Sequence, residues 1–255
     1  MSVRPGFAVV AVALLALAGC TKSDDRGFQG WVEAELIFVS PDEAGRIETL
    51  SVREGDIVER NAPLFEVDAD LQRADVEMAK AALTNAQQAY ERAQALLKTA
   101  AGTQKTLDDA EATLRTAQAR LDSAQTRLGR RKMVSPVAGS VQQIYYRQGE
   151  LVPAGRPVLS LLPPGNIKVR FFVPETMLPK VSLGDAVIIH CDGCEADVPA
   201  KVTFISRSAE FTPPVIYSRG SREKLVFMVE AWPAPADAAR LRPGLPVDVS
   251  LVEPR

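Results

Sequence analysis

Histidine is almost missing from this 255-residue chain, which contains a single one, His190. Serine- or cysteine-based nucleophilic chemistry would have only that one imidazole as a base. No Gly-x-Ser-x-Gly elbow and no nucleotide-binding loop accompanies it, so the sequence offers no catalytic constellation. The many Asp and Glu residues lie scattered along helical patterns, where they read as a solvated face. An excess of charge is lacking too. With 30 basic and 32 acidic side chains the formal net charge is -2, which removes any general electrostatic pull towards nucleic acid. The apolar run from Phe7 to Leu17 falls short of the roughly 20 residues that a membrane-spanning helix needs. Cysteine is scarce, limited to Cys20, Cys191 and Cys194. Glycine and proline are nearly absent from one long stretch, Ala69 to Lys132, which excludes a loop-rich or turn-rich structure there.

What stands at the amino terminus is a charge at Arg4, the apolar run, then small residues and a cysteine, in the order of a secretory signal. Leu17-Ala18-Gly19-Cys20 resembles the lipobox of bacterial lipoproteins, which implies residues 1–20 as a signal peptide and Cys20 as the lipid-attachment site. An uncleaved signal anchor, or ordinary cleavage leaving a free thiol, are the alternatives. The first two readings place the body in the bacterial cell envelope, on the periplasmic side. Thr21 after Cys20 resembles the outer-membrane sorting signal of enteric bacteria, but this rule varies between lineages. Both membranes stay open, the inner one favoured. Residues 21–30 are polar and read as a tether.

The glycine-poor stretch carries two seams. Val76, Leu83, Tyr90 and Leu97 recur every seven residues, each trailed three places later by Ala79, Ala86, Ala93 and Ala100. After Ala101-Gly102-Thr103 the pattern restarts with Leu107, Leu114, Leu121 and Leu128, trailed by Ala110, Ala117 and Ala124. Two matching seams with so short a connection predict an antiparallel helical hairpin over 68–132, with Leu facing Ala.

The flanks of that hairpin repeat one another. Ala44 to Val67 lies over Ala138 to Leu161 without a gap: Ala44-Gly45 meets Ala138-Gly139, Arg53-Glu54-Gly55-Asp56 meets Arg147-Gln148-Gly149-Glu150, and Pro63-Leu64-Phe65 meets Pro157-Val158-Leu159. Each copy reads strand, turn, strand, and neither is long enough to bury a core alone. Together, as a first half over 31–67 and a second over 133–162, they predict one small β-sandwich. The pattern Gly-x-Ile-x-x-Leu-x-Val-x-Glu-Gly-Asp-x-Val from Gly45 resembles the half-motif of biotinyl and lipoyl domains. A split lipoyl domain interrupted by a coiled-coil hairpin is similar to the periplasmic adaptor, or membrane fusion protein, family of HlyD type. That resemblance implies an elongated α+β chain: a split lipoyl/biotinyl-type β-sandwich, the hairpin, and a small antiparallel β-barrel over 163–255. It also implies an adaptor in a tripartite efflux or secretion system, usually hexameric, without a cofactor.

In the branch of this family that docks on TolC-like outer-membrane ducts, the hairpin tip carries Arg, Leu and Ser at set intervals. Arg92, Leu96 and Thr103 stand at those places, with Thr for Ser, and Asp108 and Ala110 also match. The resemblance implies docking on such a duct through these three residues. Local roles compete at the same positions: Thr103 as a helix cap, Gly102 as a helix end and Arg92 as a solvated charge. At about 1.5 Å per residue, helices of about 30 residues reach only about 45 Å, so tip-to-tip contact with an inward-projecting duct is expected.

After Pro163-Pro164-Gly165, short strands are expected at Ile167–Val173, Val187–Ile189, Val202–Ile205, Leu225–Val229 and Val247–Leu251, with a helical turn in Pro174–Pro179. The phrases Ala209–Tyr217 and Leu241–Val247 resemble the branch whose inner-membrane exporter is often ABC-type. Cys191-Asp192-Gly193-Cys194 reads as a two-residue hairpin turn with the cysteines facing each other at the end of two paired strands, favouring a disulfide in an oxidising envelope. A redox-active pair would lack its usual βαβ setting, and zinc would find three candidate ligands at most, including His190. A biotin or lipoyl carrier is the second functional reading, weakened because no lysine stands in the required turn. A purely structural envelope coiled coil is the third.

Overall fold

The structure, a computed structural model, describes residues 27–192, 194, 196–211 and 225–252. Two compact units emerge, one running Ala34–Ile167 and the other combining the residues up to Glu33 with Lys168 onward.

The first unit is the repeat and its insertion. Its strands are β2 (Ile37–Val39), β3 (Gly45–Leu50), β4 (Ile57–Val58), β5 (Pro63–Val67), β6 (Lys132–Val134), β7 (Gly139–Ile144), β8 (Leu151–Val152) and β9 (Leu159–Leu162). They form two four-stranded sheets, ordered β2-β9-β7-β4 and β6-β5-β3-β8. Each sheet therefore takes strands from both copies of the repeat. The short strand of one copy is paired to the long strand of the other: β4 with β7 through Ile57 and Ser140, and β8 with β3 through Leu151 and Arg46. The turns match bond for bond. Arg53 N–H donates to Asp56 Oδ2 and Arg147 N–H to Glu150 Oε2, each at 2.8 Å. Gly55 and Gly149 both adopt positive φ, 93° and 90°, and each donates its N–H to the opposite copy, at Val141 and Ile47. Glycine is required there because an L side chain disfavours that backbone. The core is built from matched pairs: Ile47 with Val141, Val58 with Val152, Leu64 with Val158, Phe65 with Leu159 and Val67 with Leu161, all buried.

Between β5 and β6 stand α1 (Asp70–Lys98) and α2 (Gln104–Gly129). Val76, Ala86 and Ala93 on α1, and Ala117 and Leu121 on α2, are buried; Leu83, Tyr90, Leu97, Leu107, Leu114 and Leu128 are half-buried. These are the heptad positions, and the outer faces carry i,i+3 and i,i+4 pairs such as Lys80 with Glu77 at 2.8 Å and Gln118 with Asp122 at 2.9 Å, worth about 0.2–0.5 kcal/mol each. Ala100 departs from the expected seam. It lies beyond α1 with φ 55° and is exposed. The hairpin's feet are tied to the sandwich: the Val67 N–H donates to the Arg131 carbonyl at 2.9 Å, and the buried Arg131 guanidinium donates to Ala44 O at 3.1 Å and lies 3.4 Å from Glu43.

The second unit is a closed barrel of six strands, β1 (Phe28–Ala34), β10 (Ile167–Pro174), β11 (Ala186–His190), β12 (Val198–Phe211), β13 (Leu225–Pro233) and β14 (Pro246–Leu251), ordered β1-β10-β13-β12-β11-β14. Strand β1 corrects the expected boundaries. The sequence predicts a tether over 21–30 and a first lipoyl half from residue 31, yet Phe28–Trp31 pair with Val249–Pro246, and Val32 N–H donates to Leu245 O at 2.9 Å. The barrel needs this stave to close, and a stave drawn from the far end of the chain leaves no local signal. Phe171, Val173, Val187, Ile189, Val229 and Val249 fill its interior.

Candidate docking tip of the helical hairpin

The tip is shaped by how α1 stops. Ala100 N–H donates to Leu97 O at 3.1 Å and Ala101 N–H to Leu96 O at 2.9 Å, the paired bonds of a Schellman motif with Ala100 in the left-handed position. The sequence offers Gly102 as one candidate for the helix end, but glycine serves a different purpose here. A Cβ on Gly102 would lie 3.1 Å from Leu96 Cβ and 3.1 Å from the Leu97 nitrogen, so its missing side chain lets the connection fold tightly over the last turn of α1. Thr103 then caps α2: Thr106 N–H donates to Thr103 Oγ1 at 3.2 Å, and the two hydroxyls are 2.8 Å apart.

Around this turn the three expected residues are all solvent-facing. Arg92 is exposed on α1, Leu96 one helical turn further on keeps 49% of its surface open, and Thr103 is exposed beyond the connection. Leu96 stands off the seam of Ala93 and Leu97, which leaves it an exposed apolar knob, as Leu71 and Met78 are nearer the foot of the same helix. Asp108 accepts from Gln104 at 2.7 Å, which gives it a local role within α2. Cys20 lies outside the described residues, as do residues 212–217 of the Ala209–Tyr217 phrase.

Cys191 and Cys194 are joined, with Cα atoms 5.4 Å apart. Their setting differs from the expected two-residue hairpin. The β11–β12 ladder ends at Ile189 and Val198, so both cysteines sit in the longer connection that follows. His190 is held by Asp197 on Nδ1 at 2.7 Å and Ser250 on Nε2 at 2.9 Å. Sequence reasoning also missed a charged cluster on the barrel. Glu230 accepts from Arg170 and from the buried Lys168, both at 2.9 Å, and Arg170 lies 2.9 Å from Glu33. Burial pushes the Glu230 carboxyl up, but the hydrogen bonds and charges of Arg170 and Lys168 outweigh it and hold the group below its ordinary value. The alternation of Lys168 and Arg170 with apolar residues on β10 marked a strand, but their acidic partner lies on another strand.

A two-sheet sandwich split by a helical hairpin defines a barrel-sandwich hybrid domain. Residues 35–162, half of the chain, match the family described as "RND MFP, barrel-sandwich hybrid domain", and the chain belongs to the membrane fusion protein, or periplasmic adaptor, family. Curated relatives include the UPF0194 membrane protein of the asrC 5′ region from Acidithiobacillus ferridurans, 34% identical over 121 residues, which are 47% of this chain and 36% of the relative. The UPF0194 membrane protein YbhG of Salmonella gallinarum is 32% identical over 119 residues, 46% of this chain and 35% of the relative. The matched part thus spans about a third of the length of these relatives. Among solved structures, the membrane fusion protein Spr0693 of Streptococcus pneumoniae R6 shares the fold at TM-score 0.70 and 19% identity, over 89% of this chain and 98% of that one. A MacA–MexA chimera bearing the Pseudomonas aeruginosa MexA α-hairpin does so at 0.72 and 20% identity, over 88% and 79%. Among the described residues no helix is long and apolar enough to cross a membrane.

Proposed function

We propose that this chain is the adaptor of a tripartite efflux system, linking an inner-membrane exporter of ABC type to a TolC-like outer-membrane duct for export of small molecules. The observation that carries the reading is the hairpin tip, where Arg92, Leu96 and Thr103 are exposed around a tightly closed connection. Arg92 offers a planar multi-donor head to carbonyls or carboxylates of the duct. Leu96 supplies the apolar knob, and the Thr103 hydroxyl both caps α2 and faces outward. The names of the structural relatives, membrane fusion proteins and an efflux-protein chimera, support the same role. The chain works by geometry and not by catalysis. It is anchored through lipid on Cys20 and assembled as a hexamer, so that modest contacts per subunit add up to strong avidity.

The test is Arg92→Asp in the native host. The substitution is exposed and leaves the seam intact, so the melting temperature stays within about 1 °C while export falls to the level of a deletion strain. Unchanged export in a normally expressed Arg92→Asp strain sinks the docking assignment. Cross-linking from a photoreactive residue at Thr103, with another in the barrel, identifies the duct and the exporter; capture of an exporter of a different class would overturn the ABC assignment alone.

A further inference from the structure

The outer wall of the barrel holds a groove of about 570 Å³. Three adjacent strands make its floor. Gln29 on β1 is in register with Asp248 on β14, and Asp248 with His190 on β11, so these three side chains form one row on the face opposite the apolar interior. Trp31 and Pro246 form the next row of the same face. Trp31 is 40% exposed and backed by Phe172, with ring centroids 5.4 Å apart, so its outer face is available while its position is fixed. Further lining comes from described residues of the connection after β11. That connection brings Cys191, Asp192 and Asp197 to the groove, closed at its root by the Cys191–Cys194 bond and held further along where Arg240 donates to Ala196 O at 3.2 Å.

The chemistry of this lining is one-sided. Asp192, Asp197 and Asp248 face the groove, and no lysine or arginine lines it among the described residues. His190 is engaged by Asp197 and Ser250, so it neutralises at most one of the carboxylates. A solvated row of carboxylates alone would select nothing. Here they rim a concave wall that contains a fixed, half-open indole, which pairs a negative potential with an apolar, π-rich contact. An aromatic face attracts a cation within about 6 Å of its centroid, and low-dielectric groove walls focus the field of the carboxylates. Inorganic cations would use the carboxylates but not the indole, and neutral aromatics the reverse. We infer that this groove binds organic cations, ammonium or guanidinium groups carrying an apolar body, with the charge between Asp192 and Asp248 and the body against Trp31. The inference rests on the barrel alone, so it stands or falls independently of docking at the hairpin tip.

Calorimetric titration of the full chain decides it, with benzyltrimethylammonium as the cation and benzylsulfonate as a body of similar size and opposite charge. Saturable binding of the cation, with a dissociation constant of about 0.1–1 mM, and no binding of the sulfonate is the expected result. Asp192→Asn combined with Asp248→Asn weakens the cation at least fivefold, and Trp31→Leu, which keeps apolar bulk but removes the π face, weakens it at least threefold. If Trp31→Leu fails to fold, the double Asn variant, both of whose positions are exposed, decides by itself, its unchanged melting temperature serving as the control. No binding of the cation, equal binding of both probes, or cation binding untouched by the Asn substitutions would overturn the inference.

Discussion

Glu230 is the residue whose loss should be felt most widely on the barrel. It serves two cations at once, Arg170 and Lys168, whose side chain is 8% exposed, so Glu230→Gln removes a shared counter-charge from both. Breaking a buried pair from one side costs about 3–5 kcal/mol; with Arg170 partly open to water, the lower figure is expected, read as a drop in the denaturation midpoint at constant slope. The pH dependence has a definite sign. Because the folded-state pKa of Glu230 is lowered, the unfolded chain binds the proton more tightly, and stability rises with pH across that interval. The contribution is complete above the ordinary carboxylate value of about 4.5 and is lost as pH falls below it. Glu230→Gln should therefore be less stable at neutral pH yet lose less on acidification than the natural chain. An equal acid limb in both would show that Glu230 carries no linked proton.

At the scale of elements, the tip connection combines a strained residue with a glycine kept for space. Ala100 holds a left-handed backbone that costs an L residue about 1–2 kcal/mol, whereas Gly102 has no such φ and is needed because a Cβ would press on Leu96. The two substitutions should therefore separate. Ala100→Gly relieves the strain and gives back part of it as unfolded-state entropy, leaving the hairpin more stable by up to about 1 kcal/mol. Gly102→Ala displaces Leu96, destabilises by about 1 kcal/mol or more, and should impair export far beyond that stability change. Stabilisation by Gly102→Ala would contradict this assignment. These details explain what the sequence could and could not disclose. The seven-residue spacing of Leu83, Leu114 and their neighbours is local, so the helices and their mutual faces were legible. Which residue of Ala100-Ala101-Gly102 turns left-handed depends on hydrogen bonds back to Leu96 and Leu97, and composition favoured the wrong one. Strand β1 and the partners of Lys168 were hidden for the same reason, since each is completed by a residue far away in the chain.

For the molecule as a whole, the repeat and the insertion are separable in physical terms. The ten matched core residues, Ile47 and Val141 through Val67 and Leu161, belong to the sandwich, and each sheet is completed by exchange between the two copies. The helices meet that sandwich where β5 and β6 already lie side by side, with Glu66 opposite Lys132 and Val67 bonded to Arg131. A chain in which residues 68–130 are replaced by Asn-Gly closes that ladder with the turn antiparallel strands favour. It retains Arg131, whose guanidinium spans to Ala44. Such a chain is expected to melt cooperatively with a sandwich of native strand content and, under the docking proposed for the tip, to lose both export and cross-linking to an outer-membrane duct. Loss of the fold would mean that α1 and α2 are part of the sandwich's stability and not an arm projecting from it. Export by the shortened chain would mean that the coupling to the outer membrane runs through some other surface than the tip around Leu96.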